Sequence, residues 1–225
     1  MVNPYSWNSR SNTIFVDQPA GTGYSYTRYG VEVGDTESGA KDIYRFLRIF
    51  FSAFDKFKDN GLILSGESYG GRYLPIFASE IVDMNMAYTD AAFAKGKKPK
   101  KDQLIDLKSV MIGNGLTDVS VQIPQYYDYT CTTKGGLDKP IFPIKQCTRM
   151  RVYRDMCAKE LPKVCKESYN ADRCQDLVNT CSAELEAPFM ATGRNPYFAS
   201  KMCEGGLDEN LCYPVSADIR AYLSE

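Results

Sequence analysis

Residues 62–71 read Leu62-Ile63-Leu64-Ser65-Gly66-Glu67-Ser68-Tyr69-Gly70-Gly71. A short apolar run, opened by Gly61, leads straight into Gly-x-Ser-x-Gly. That order predicts a buried strand that turns sharply into a helix and holds a serine hydroxyl exposed at the turn. The glycines of the pentapeptide, Gly66 and Gly70, predict a turn too tight for Cβ atoms beside it. Ser68 is therefore the candidate nucleophile. A serine hydroxyl used this way needs a base to take its proton, ordinarily histidine, and the 225 residues contain none. The competing reading is a glycine-rich turn with a solvent-facing serine. The strand before the motif and the helix after it favour the nucleophile.

The flanking sequence extends the pattern. Thr13-Ile14-Phe15-Val16-Asp17 is β-branched and aromatic and runs into Gln18-Pro19-Ala20-Gly21, which predicts a strand ending in a loop. Residues 36–57 carry Ile43, Phe46, Leu47, Phe50, Phe51 and Phe54 at helical spacing. A second helix is predicted over 69–86. Residues 105–112 alternate, turn fully apolar and stop at Gly113-Asn114-Gly115, a third strand. Strand, helix, strand, helix, strand predicts an α/β domain whose parallel sheet is covered on both faces. Lys95-Gly96-Lys97-Lys98-Pro99-Lys100-Lys101 reads as a solvated surface loop. No aromatic residues interleave with it to make a nucleic-acid patch.

A net charge of −1 gives no attraction for nucleic acid or an anionic membrane. The apolar stretches are too short to span a bilayer. Met1-Val2-Asn3-Pro4 leads directly into polar residues, a pattern that does not predict a secretory leader in this stretch. All eight cysteines lie at or beyond Cys131. An even number confined to one region predicts disulfides and an oxidising compartment. Zinc is the weaker reading, because no Cys-x-x-Cys pair and no histidine is present; no metal or other cofactor is expected. A boundary near residue 118 divides a partial α/β core, 1–118, from a disulfide-rich region, 119–225. Residues 147–181 are polar and predict short helices, which cross-links would stabilise where the core is small. A last helix is predicted over 215–223.

Several blocks together resemble the serine carboxypeptidase family, in the family's order. They are Asn3-Pro4-Tyr5-Ser6-Trp7-Asn8, the stretch Asp17-Gln18-Pro19-Ala20-Gly21-Thr22-Gly23-Tyr24-Ser25-Tyr26, the elbow Gly66–Gly71, and Ile112-Gly113-Asn114-Gly115-Leu116-Thr117-Asp118. Thr192-Gly193-Arg194-Asn195, Cys203-Glu204-Gly205-Gly206 and Leu211-Cys212-Tyr213-Pro214 resemble its fungal vacuolar branch. The resemblance implies an α/β-hydrolase fold with a helical, disulfide-stapled cap inserted into the core. It implies an enzyme that releases C-terminal residues from peptides and proteins in a vacuolar, lysosome-like or secreted setting.

By the same resemblance Ser68 is the nucleophile that forms the acyl-enzyme, and the Tyr69 backbone N–H is one oxyanion-hole donor. Glu67 binds the terminal carboxylate of the substrate. Two acidic groups can approach only if one of them holds a proton, so acidic pH is favoured. Asn114 orients groups beside the elbow, and Tyr69, Leu116 and Tyr126 line the pocket for the residue before the scissile bond. The spacing of eight cysteines alone leaves roughly a hundred pairings open. The resemblance implies Cys131 with Cys147, Cys157 with Cys181, Cys165 with Cys174, and Cys203 with Cys212. The family's Asn-Gly-Gly-Pro-Gly block is expected upstream of Asn3, and its catalytic Asp and His beyond Glu225. The chain therefore reads as the middle of a longer enzyme, inactive by itself. Two other readings compete: a truncated paralogue that binds without chemistry, and a serine carboxypeptidase-like acyltransferase.

Overall fold

A computed structural model describes residues 3–30, 33–168 and 170–203. They fall into two units. One is Trp7–Thr117; the other begins at Asp118 and takes in residues 3–6.

In the first unit, helix α1 (Thr36–Ala53) starts at Asp35, whose carboxylate accepts the Ser38 N–H at 2.6 Å. That bond, with a second from the Ser38 hydroxyl, holds the Asp35 carboxyl below its ordinary range. The helix ends at Phe54, earlier than its apolar spacing predicts. Phe54 leaves the helical region (φ −123°, ψ 64°), and Asp55–Asn60 continues as a 3₁₀ turn. The tighter turn brings Phe57 to stack on Phe50, with ring centroids 6.0 Å apart. Strand β1 (Leu62–Glu67) leads to helix α2 (Gly70–Ala94), and strand β2 (Leu107–Gly113) returns parallel to β1. Helix α2 runs eight residues past its expected end, because Ala87, Ala91, Ala92 and Ala94 are strong helix formers. It stops at Gly96 (φ +65°), where the Gly96 N–H donates to Phe93 O and the Lys97 N–H to Ala92 O. This is the paired closure that a left-handed glycine permits.

The core of this unit joins Ala40, Ile43 and Leu47 of α1 to Leu74, Phe77 and Ile81 of α2 and to Ile105. Leu62, Leu64, Leu107 and Val110 pack onto it from the sheet. The Asn85 side chain bridges α2 to the entry of β2. It donates to Ile105 O at 2.8 Å and accepts the Ile105 N–H at 3.0 Å.

Two expectations fail here. Thr13–Asp17 forms no strand and pairs with none among the described residues. Ile14, Phe15 and Val16 are exposed, Phe15 at 88%. β-Branched composition does not make a strand without a neighbour to complete its ladder. Instead Asp17 accepts the Tyr24 N–H at 2.9 Å and closes the loop that follows. The parallel sheet accordingly has two strands, and Ile63 and Met111 stay exposed.

The second unit is mainly helical: α3 (Val119–Cys131), α4 (Ile144–Pro162), a π-helical turn (Lys163–Glu167), α5 (Ala171–Leu185) and α6 (Ala187–Met190). A small antiparallel hairpin follows, β3 (Arg194–Asn195) with β4 (Phe198–Met202). The helices are not short, as α4 alone has 19 residues. They enclose a core of Ile123, Met150, Leu161 and Leu185, with Cys157 and Cys181 completely buried among them. Polar composition hid this, because the buried positions are few and widely spaced. Disulfides join Cys131 to Cys147, Cys157 to Cys181 and Cys165 to Cys174. Cys212, the implied partner of Cys203, and the helix expected at 215–223 lie outside the described residues. No helix among the described residues is long and apolar enough to cross a membrane.

Asp118 caps α3. Its Oδ1 accepts the Ser120 N–H at 3.0 Å and the Ser120 hydroxyl at 2.6 Å, while Oδ2 accepts from Lys166. Burial alone would raise its pKa. The bonds from Lys166 and Ser120 outweigh burial and hold the carboxyl below its ordinary value of 3.8. A carboxyl lowered in the folded state stabilises fully above its unfolded pKa and loses that contribution as pH falls through the folded one. We expect the melting temperature of the second unit to fall on acidification through that window. Asp118→Asn should melt lower at pH 7 and show a shallower acid decline, read by circular dichroism. Parallel acid limbs for the two proteins would refute the assignment.

Candidate active site

β1 ends at Glu67 and α2 begins at Gly70, so Ser68 and Tyr69 alone turn the chain. Ser68 takes φ +56°. That conformation costs a non-glycine residue about 1–2 kcal/mol, and the surrounding hydrogen bonds hold it. The Ser68 N–H donates to Gly113 O at 3.0 Å. Its carbonyl accepts the Gly71 N–H at 3.0 Å and the Leu116 N–H at 2.9 Å. The loop leaving β2 is thus laced to the elbow from both sides. Asn114, inside that loop, has φ +47°, a conformation its side chain tolerates better than most.

The glycines divide the work differently from the expectation. A Cβ on Gly70 would meet nothing within 4 Å, and one on Gly66 would meet the Leu74 side chain at 3.1 Å. A Cβ on Gly71, outside the pentapeptide, would stand 2.8 Å from Gly115 Cα and 2.8 Å from Leu116 N. The tight approach is therefore between Gly71 and Gly115, two backbones that meet where α2 passes the loop after β2. Neither was singled out by the pentapeptide. The signal was the doubled glycine at Gly70-Gly71, read together with Gly113-Asn114-Gly115.

The geometry gathers Glu67, Ser68, Tyr69, Asn114 and Leu116 around one turn of the first unit. Ser68, Glu67 and Asn114 are exposed. The Tyr69 N–H donates to no group among the described residues. It sits at the start of α2, where unpaired N–H groups and the helix dipole favour negative charge. The Tyr69 ring packs edge-on against Tyr73 (4.9 Å), which stacks on Phe77 (5.9 Å), so the elbow is anchored to the core along α2. Tyr69, Tyr73 and Phe77 line a cavity of about 160 Å³ together with Gln18, Pro19 and Asp35. Tyr126 belongs to the second unit. Its ring lies 6.3 Å from that of Phe189, and its hydroxyl donates to Glu186 Oε1 at 3.3 Å. Burial first, and then the facing Glu186 carboxylate, push its phenol up to about 12.

A serine held at a strained turn, beside an N–H at a helix start that has no partner among the described residues, is suited to acyl transfer. Residues 1–223 match the serine carboxypeptidase family, Peptidase S10. Carboxypeptidase Y of Saccharomyces cerevisiae is 38% identical over 225 residues, covering 99% of this chain and 38% of that protein. Carboxypeptidase Y homolog A of Ajellomyces dermatitidis is 38% identical over 223 residues, covering 99% of this chain and 36% of that protein. Among solved structures, Kex1ΔP, a prohormone-processing carboxypeptidase from Saccharomyces cerevisiae, superimposes with a TM-score of 0.52 at 26% identity. That match covers 76% of this chain and 35% of the other. The chain spans somewhat over a third of the length of these relatives. With residues 1–223 matched to the family and 99% of the chain covered by relatives at 38% identity, this α/β-hydrolase chain belongs to the serine carboxypeptidase family.

Proposed function

We propose that the chain carries the nucleophile of a serine carboxypeptidase that releases residues from the C-termini of peptides and proteins. The observation that carries the reading is the left-handed Ser68 with the Tyr69 N–H beside it, which has no partner among the described residues. Ser68 Oγ attacks the last peptide carbonyl, and the Tyr69 N–H stabilises the oxyanion that forms. Glu67, one residue before the nucleophile, receives the free carboxylate of the substrate. One of the two acidic groups must hold a proton, so acidic pH favours the encounter. Asn114 orients groups beside the elbow from the loop after β2, and Tyr69 and Leu116 contact the side chain before the scissile bond; Tyr126 is assigned to the same side chain by the resemblance alone. Residues 119–225 serve as the cap. Because the 225 residues hold no histidine, the base that takes the Ser68 proton comes from elsewhere. The disulfides support folding in an oxidising compartment, in keeping with a vacuolar or secreted enzyme.

The test supplies the base from solution. A fluorophosphonate reacts when Oγ bonds to phosphorus, fluoride leaves and the hydroxyl proton passes to imidazole. Labelling of the chain should rise with imidazole concentration and fall to background in Ser68→Ala. A peptide with a free C-terminal carboxylate should protect Ser68, and the same peptide as its C-terminal amide should not. Equal labelling of Ser68→Ala would remove Ser68 from its role. Equal protection by the two peptides would refute the exopeptidase reading.

A further inference from the structure

We infer that the lysine-rich loop after α2 is a processing site, at which an endoprotease selective for paired basic residues converts the chain into a two-piece form held together without covalent bonds. Five of the seven residues from Lys95 to Lys101 are lysine, and all five are exposed. The chain has only two adjacent basic pairs, Lys97-Lys98 and Lys100-Lys101, and both are in this loop. From Lys98 to Lys100 no backbone N–H donates to a described residue, and at the basic pair itself the strand-like fit a protease demands opens only the two bonds of one turn, Gln103 N–H to Lys100 O at 3.0 Å and Leu104 N–H to Lys101 O at 3.1 Å. Lys101 opens only a three-residue 3₁₀ turn. Its ion pair with Asp59, at 3.8 Å between almost fully exposed side chains, offers little resistance.

The two pairs are not equivalent. Pro99 follows Lys97-Lys98, and its ring and missing N–H obstruct cleavage of the Lys98–Pro99 bond. Lys100-Lys101 is followed by Asp102. Hydrolysis adds water across the Lys101–Asp102 peptide bond, leaving a carboxylate on Lys101 and an amino group on Asp102.

The pieces have good reason to stay together. The cut separates α1, β1 and α2 from β2, yet β1 and β2 are paired from Leu62 to Glu67. Ile105 on one piece is buried against Leu74 and Ile81 on the other. Asn85 holds Ile105 through two hydrogen bonds, and the Arg48 guanidinium donates to Gln103 Oε1 at 2.6 Å. The elbow itself spans the cut, since Ser68 is bonded to Gly113 and Leu116. No disulfide can cross it, because the first 130 residues contain no cysteine. This inference stands on the loop and the core and is independent of the proposed activity.

Limited digestion of the full chain with an endoprotease selective for basic pairs tests it. One new N-terminus, Asp102, should appear first by mass spectrometry. The two pieces should co-elute on native size exclusion and separate on a denaturing gel run without reductant. Lys100→Gln/Lys101→Gln should abolish the cut, and Lys97→Gln/Lys98→Gln should leave it. A first cut elsewhere, such as after Arg28 or Lys134 in other exposed segments, overturns the inference. So does the absence of any cut, or separation of the pieces under native conditions.

Discussion

Gly71→Ala is expected to destabilise the first unit by about 3 kcal/mol, in the upper range for an overpacked site. Its Cβ would enter the space of Gly115 Cα and Leu116 N, both at 2.8 Å. These are backbone atoms, so no rotamer change makes room. Relief requires moving the loop after β2, which also carries the Leu116 N–H that binds Ser68 O. Gly70→Ala, one residue earlier, meets nothing within 4 Å. Alanine there restricts the unfolded chain and favours the helix, so stability should match the parent or exceed it by up to about 1 kcal/mol. Urea denaturation followed by circular dichroism compares the two. Equal midpoints would show that the contact between the two glycine backbones does not limit the elbow. Gly71→Ala should also lose imidazole-dependent labelling of Ser68 while Gly70→Ala retains it.

Removing the Cys157–Cys181 bridge by the double change to alanine should cost the second unit about 3.5 kcal/mol from loop-closure entropy alone. The bridge closes a separation of 24 residues, against 9 for Cys165–Cys174, whose removal should cost about 2.7 kcal/mol on the same basis. The difference should widen further. Cys157 and Cys181 are completely buried beside Met150, Leu161 and Leu185, and truncating two sulfurs there leaves unfilled volume. Hydrogen exchange should show amides of α4 and α5 losing protection while those of β1 and β2 keep theirs. A larger loss from the Cys165/Cys174 pair would contradict the view that the buried bridge holds this helical core.

The two predictions draw on different kinds of information. The elbow, the strands around it and the starts of α1 and α2 were legible in sequence because each depends on local periodicity and on the residues that break it. The nucleophile was legible for the same reason: β1, Ser68 and α2 are consecutive.

Much of what involves distant partners was not legible in the residues themselves. Thr13–Asp17 has the composition of a strand, but a strand exists only through a neighbour's hydrogen bonds, and here it has none among the described residues. The bond from Lys166 to Asp118 spans 48 residues. The buried core of the second unit comes from a few apolar residues on helices whose mean character is polar. By itself the sequence determined that a serine stands at a strand-to-helix turn, because the motif sets that geometry within five residues. Only the tertiary structure decided what holds the turn: Gly71 and Gly115 lie 44 positions apart, and their lack of side chains matters only because folding brings their backbones into contact.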